Sequence, residues 1–104
     1  MSAIHDRLKE LFNRIPRRHT ADNVKEIYSL LDDYEDVLQD MERDETYKKE
    51  DLEPFFEALD PIRATVKKSN DGKASKKGKD DLFDDASGAL KDSVEGAMHL
   101  ATRP

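Results

Sequence analysis

The sequence predicts an all-α protein: an antiparallel three-helix core with a fourth, linker-tethered helix, forming a small helical bundle. Three observations predict it. Apolar residues recur at spacings of three and four almost throughout, the period of a helix with one face against a core. Helix breakers and caps gather at residues 16–20, 46–51 and 69–80, which divides the chain into four segments. Charged residues make up 40% of the 104 positions against 36% hydrophobic ones, a ratio that suits helices with wet outer faces. The short connections favour antiparallel neighbours.

The first segment, residues 2–15, places Ile4, Leu8, Leu11, Phe12 and Ile15 on one face, with Glu10 and Arg14 paired at i,i+4 outside it. Pro16 stops it. The second, residues 21–45, has Thr20 as its N-cap and Asp22 in the first turn, where negative charge is favoured. Its seam is Val24, Ile27, Leu31, Tyr34, Leu38 and Met41, widened to a face by Leu30 and Val37. The third, residues 52–68, is capped by Asp51 and tolerates Pro54 in its first turn. Its apolar side runs through Leu52, Phe55, Phe56, Leu59, Ile62 and Val66, with a kink expected at Pro61. These three segments form the core, residues 1–68.

Residues 69–80, SNDGKASKKGKD, contain no large apolar side chain and four lysines, and read as a flexible linker. The last segment, residues 81–102, begins with acids suited to a helix N-terminus. It carries a ridge of small residues (Ala89, Ser93, Ala97 and Ala101) beside Ala86, Leu90, Val94 and Met98. Gly88 and Gly96 each weaken it by about 1 kcal/mol, so this helix needs a surface to dock on, in this chain or in a partner.

Cysteine is absent, which excludes disulfides, thiolate chemistry and thiol-rich zinc sites. No apolar run approaches the eighteen or so residues of a membrane span, and the N-terminus lacks a secretory apolar region. The expected location is cytoplasmic, or nuclear in a eukaryote, where Lys76-Lys77-Gly78-Lys79 fits a minimal localisation pattern. The net charge of −6 is unevenly placed. Residues 1–31 carry +2, residues 32–60 carry −10, residues 61–79 carry +6 and residues 80–104 carry −4. Such blocks steer oppositely charged partners, and no uniformly basic footprint for direct nucleic-acid binding is present.

The most acidic stretch, LLDDYEDVLQDMERDE, contains DDYED, which fits the DDxxD pattern used by some enzymes to hold magnesium. On the seam of the second helix, however, Asp32, Asp33, Asp36 and Asp40 point away from the apolar side. A metal-dependent site needs carboxylates converging in a pocket. What remains is a ladder of Asp32, Asp36, Asp40 and Asp44, whose neighbours repel by a few tenths of a kcal/mol per pair. Two readings stand side by side: a solvated face, or a stripe that meets a basic protein surface. A sharper form of the second is an inhibitor that mimics nucleic acid, since carboxylates would stand roughly 6 Å apart along the helix and a single strand carries a charge every ~3.4 Å.

Glu42-x-x-Glu45 followed by Glu57-x-x-Asp60 resembles the ExxE…ExxD magnesium constellation of all-α nucleotide pyrophosphohydrolases of the MazG type. The resemblance covers four residues, with a gap shorter than that family's, and implies magnesium-dependent nucleotide hydrolysis as an alternative activity. Arg14, Arg17 and Arg18, beside His19 at the mouth of the second helix, form a candidate anion site. His5, His19 and His99 lack metal-ligand spacing, and Tyr28, Tyr34, Phe55 and Phe56 fall at core spacing. No glycine-rich phosphate loop or serine–histidine arrangement supports a kinase or general hydrolase.

The function expected from the residues is therefore non-enzymatic, with no cofactor: a small adaptor or regulatory protein acting by protein–protein contact. Its partner-binding residues would be Asp32, Asp33, Asp36, Asp40 and Asp44 on the acidic face, and Ala89, Ser93 and Ala97 on the tail helix. The expected partner is a protein with a basic surface, with a homo-oligomer also open.

Overall fold

Four helices and no strand make up the described residues, 3–16, 20–44, 47–70 and 75–101 of a computed structural model. They are α1 (Ala3–Arg14), α2 (Ala21–Arg43), α3 (Lys49–Ser69) and α4 (Lys76–Ala101). Each packs on the helices next to it in sequence, and α4 closes the ring by packing on α1. The result is an all-α bundle 46 Å long and 23 × 17 Å across. Successive helices run antiparallel: Arg7 near the start of α1 meets Asp40 near the end of α2, while Arg14 meets Glu26.

The predicted seam of α2 is the spine of the core. Val24, Ile27, Leu30, Leu31, Tyr34, Val37, Leu38 and Met41 are all buried. Thr20 caps this helix, its hydroxyl accepting the Asn23 N–H at 3.0 Å. Leu8 and Leu11 of α1 and Leu52, Leu59, Ile62 and Val66 of α3 are buried against it, with Ile4, Phe12, Phe55 and Phe56 half-buried at the edges.

Two boundaries differ from expectation. Helix α3 starts at Lys49, two residues before the expected Asp51 cap, and its flanking Lys48 makes no side-chain capping bond. The helix continues through Pro61 as one element. Pro54 and Pro61 are both exposed, so the carbonyls that lose an amide donor lie on the outer side of the helix and not in the core.

The second difference is the start of α4. Residues 71–74 lie outside the described residues, but both flanks of the expected 69–80 linker are helical. Ser69 ends α3 as a buried residue, its hydroxyl donating to the Val66 carbonyl at 2.6 Å. Ser75 opens α4: its hydroxyl accepts the Gly78 N–H at 3.0 Å and its carbonyl accepts the Lys79 N–H at 2.9 Å. The first turn therefore carries lysines and no acid, and Asp80, Asp81, Asp84 and Asp85 fall in later turns, where capping does not account for them. The surface α4 docks on is its own bundle, into which it buries Phe83, Ala86, Leu90, Val94 and Ala97.

Candidate interaction surface

The acidic face of α2 is built by the seam opposite it: burying every third or fourth residue turns the intervening carboxylates outward. The neighbouring helices answer with arginines. Arg63 of α3 reaches Asp32 at 3.1 Å and Glu35 at 3.6 Å. Arg7 of α1 reaches Asp40 at 2.7 Å, and Arg43 approaches the other oxygen of Asp40 at 3.5 Å. Arg14 of α1 sits between Glu26 at 3.0 Å and Asp33 at 3.4 Å. Asp36 is exposed and makes no ion pair among the described residues. Asp44 ends the helix, its N–H bonding the carbonyls of Asp40 and Met41. Along the expected ladder, then, Asp32 is drawn towards α3 and Asp40 towards α1, with Asp36 between them.

Arg14 is committed to this network. Partial burial pulls its pKa down, but hydrogen bonds and charge from Glu26, and then from Asp33, outweigh that and raise it. Of the candidate anion site, Arg14 thus has carboxylate partners already, and Arg17 and Arg18 lie outside the described residues.

The three small residues assigned to the tail helix separate. Ala97 is fully buried in the bundle. Ser93 is half-buried and bonded to Tyr34, its Oγ 2.8 Å and its carbonyl oxygen 3.0 Å from the phenol oxygen. Ala89 is exposed. Two of the three are thus used inside the chain.

A different acidic feature forms where the end of α2 meets the first half of α3. Glu42, Glu50, Glu53 and Glu57 surround a hollow of about 570 Å³, with Lys49 on its rim and half-buried Phe56 in its wall. None of these four carboxylates makes an ion pair among the described residues. The sequence signal was available: Glu50, Glu53 and Glu57 recur at three and four, one side of the α3 seam, and Glu42 is brought alongside by the short α2–α3 connection. Of the ExxE…ExxD residues, Glu42 and Glu57 share this hollow, Asp60 is not in its lining and Glu45 lies outside the described residues. Among the described residues no group of three or more histidines or carboxylates is placed to hold a metal ion.

No family model matches the chain, and neither the curated proteins nor the solved structures contain a match. No described helix is long and apolar enough to cross a membrane. The reading of this surface therefore rests on its chemistry.

Proposed function

We propose that this chain is a small, non-enzymatic adaptor or regulatory protein that binds a basic partner protein through the carboxylates of α2 and α3. The observation that carries the reading is the hollow around Phe56. Four glutamates frame an aromatic wall, and the arginines that balance the rest of the acidic face are engaged elsewhere. Such a site suits a segment with an apolar anchor flanked by lysine or arginine. The anchor would bury against Phe56 while the charges steer its approach. Asp36 and its paired neighbours would extend the same negative field along α2.

The test compares the wild type with a Glu50→Gln, Glu53→Gln, Glu57→Gln variant in a pull-down from native lysate with proteomic readout, after both are shown to be equally helical. A basic protein retained by the wild type, released by added salt and lost by the variant is the expected result. Identical retained proteins would mean that this face is only solvated. Displacement of the partner by DNA or RNA would identify the contact as nucleic-acid mimicry.

A further inference from the structure

A groove of about 360 Å³ runs between the C-terminal end of α1 and the middle of α4. Half-buried Phe12 and Ile15 form one side, Ser87 and Gly88 form the floor, and Asp84 and Lys91 stand at its two ends. Two features of the floor have no explanation inside the chain. Gly88 is exposed, and a Cβ placed on it would meet nothing within 4 Å, so the helix bears the cost of a central glycine with no packing reason for it. Gly96, by contrast, lies against Phe55, where a Cβ would come within 3.0 Å of the ring. Beside Gly88, Ser87 is only 7% exposed, and its hydroxyl has no hydrogen-bond partner among the described residues. Buried hydroxyls are seldom left so.

Asp84 and Lys91 are related by position. Their midpoint along α4 falls between Ser87 and Gly88, so the pattern is an acid, a small floor and a base at equal spacing. Turned end for end, that pattern complements itself.

We propose that this groove seats α4 of a second copy of the chain, the two helices crossing antiparallel at Ser87–Gly88 about a two-fold axis. Asp84 of each copy then faces Lys91 of the other, giving two equivalent ion pairs. Ser87 of each lies over Gly88 of the other. The absent side chain there lets the backbones approach closely, and a χ1 rotation brings the Ser87 hydroxyl to an oxygen of the facing helix. Phe12 and Ile15 flank the crossing and lose their remaining exposure. Lys91, whose Nζ lies 5.4 Å from the centre of the Phe12 ring, keeps that contact while turning its charge to the second copy. Asp80 and Glu95 would face each other further out, which favours a steep crossing that carries them apart. Because both copies use the same patch, the assembly closes at two and does not grow into a fibre. One helix crossing is a small interface, and the dimer belongs to the weak, reversible class.

Sedimentation equilibrium from micromolar to millimolar protein tests this. The wild type is expected to pass from monomer to dimer. Asp84→Lys alone, or Lys91→Asp alone, places like charges opposite each other twice and is expected to weaken association about tenfold. The double variant Asp84→Lys, Lys91→Asp restores the pairing with signs exchanged and recovers the wild-type constant. Gly88→Ala gives an independent arm: it is expected to raise the melting temperature of the monomer while weakening the dimer. A wild type that stays monomeric throughout overturns the proposal. So does a double variant no better than the single ones, or a Gly88→Ala chain that is more stable and associates as tightly as before.

Discussion

The phenol oxygen of Tyr34 lies 2.8 Å from Ser93 Oγ and 3.0 Å from the Ser93 carbonyl oxygen, tying α2 to α4 across the diagonal of the bundle. Tyr34 is fully buried at the centre of the α2 seam, where a phenylalanine would satisfy the apolar pattern equally well. The hydroxyl fixes how far α4 sits from α2 and which way its small-residue side faces. Tyr34→Phe keeps the ring and removes that tie. It is expected to cost about 1–2 kcal/mol, read as a loss of several degrees in melting temperature. Ser93→Ala should cost less, because the Ser93 carbonyl still accepts the phenol proton.

The same phenol makes stability depend on alkaline pH. Burial pushes the Tyr34 pKa up to about 12, against the opposing pull of its Ser93 hydrogen bond. In the unfolded chain the group ionises near its ordinary value of 10. Between those values the unfolded state has released the proton and the folded state has not, so stability falls as pH rises. The contribution is fully present below pH 10 and is lost by about pH 12, on the order of 2–3 kcal/mol in total. Urea unfolding across that range should show a steeper decline for the wild type than for Tyr34→Phe. Parallel declines would mean that the phenol ionises in the folded state.

The α2 seam was legible residue by residue, because a helix packed on two sides writes its burial into the local period. The acidic ladder was legible only as a face. Its charge balance was not, since Arg7, Arg14 and Arg63 meet their carboxylates across helix–helix contacts 12 to 33 residues apart in sequence. The start of α4 was hidden for a different reason. A lysine-rich, apolar-poor stretch reads as linker by composition, and the cap supplied by Ser75 has no apolar period behind it in its first turn to mark it. At Pro61 the helix continues as one element, the carbonyl that loses its amide donor lying on the exposed side.

The two central glycines of α4 make a matched pair. Gly88→Ala adds a methyl group in open space and gains helix propensity, an expected stabilisation of about 1 kcal/mol. Gly96→Ala gains the same propensity but sets its methyl 3.0 Å from Phe55 Cε1 and 3.4 Å from Cζ. Phe55 must shift to admit it, and it is half-buried against the core. Chemical denaturation of both variants should place Gly96→Ala clearly below Gly88→Ala. Equal gains would show that Phe55 moves aside freely and that neither glycine shapes the packing of α4.

Removing α4 tests whether the first three helices stand alone. In the ring, α1 and α3 occupy opposite corners, and α4 is the wall that joins them on the side away from α2. Phe83, Leu90 and Val94 are each at most 1% exposed, and burying such side chains contributes roughly 1.5–3 kcal/mol apiece. Their sum is comparable to the whole 5–15 kcal/mol by which a domain of ordinary stability is folded. Truncation would also uncover the α1 and α3 faces that α4 covers and leave the buried Tyr34 hydroxyl without Ser93. A chain ending at Asn70 is therefore expected to lose cooperative thermal unfolding and to bind hydrophobic dyes. Should it melt as sharply as the full chain and at the same temperature, α4 would be an accessory helix held by the bundle without supporting it, free to be released to a partner.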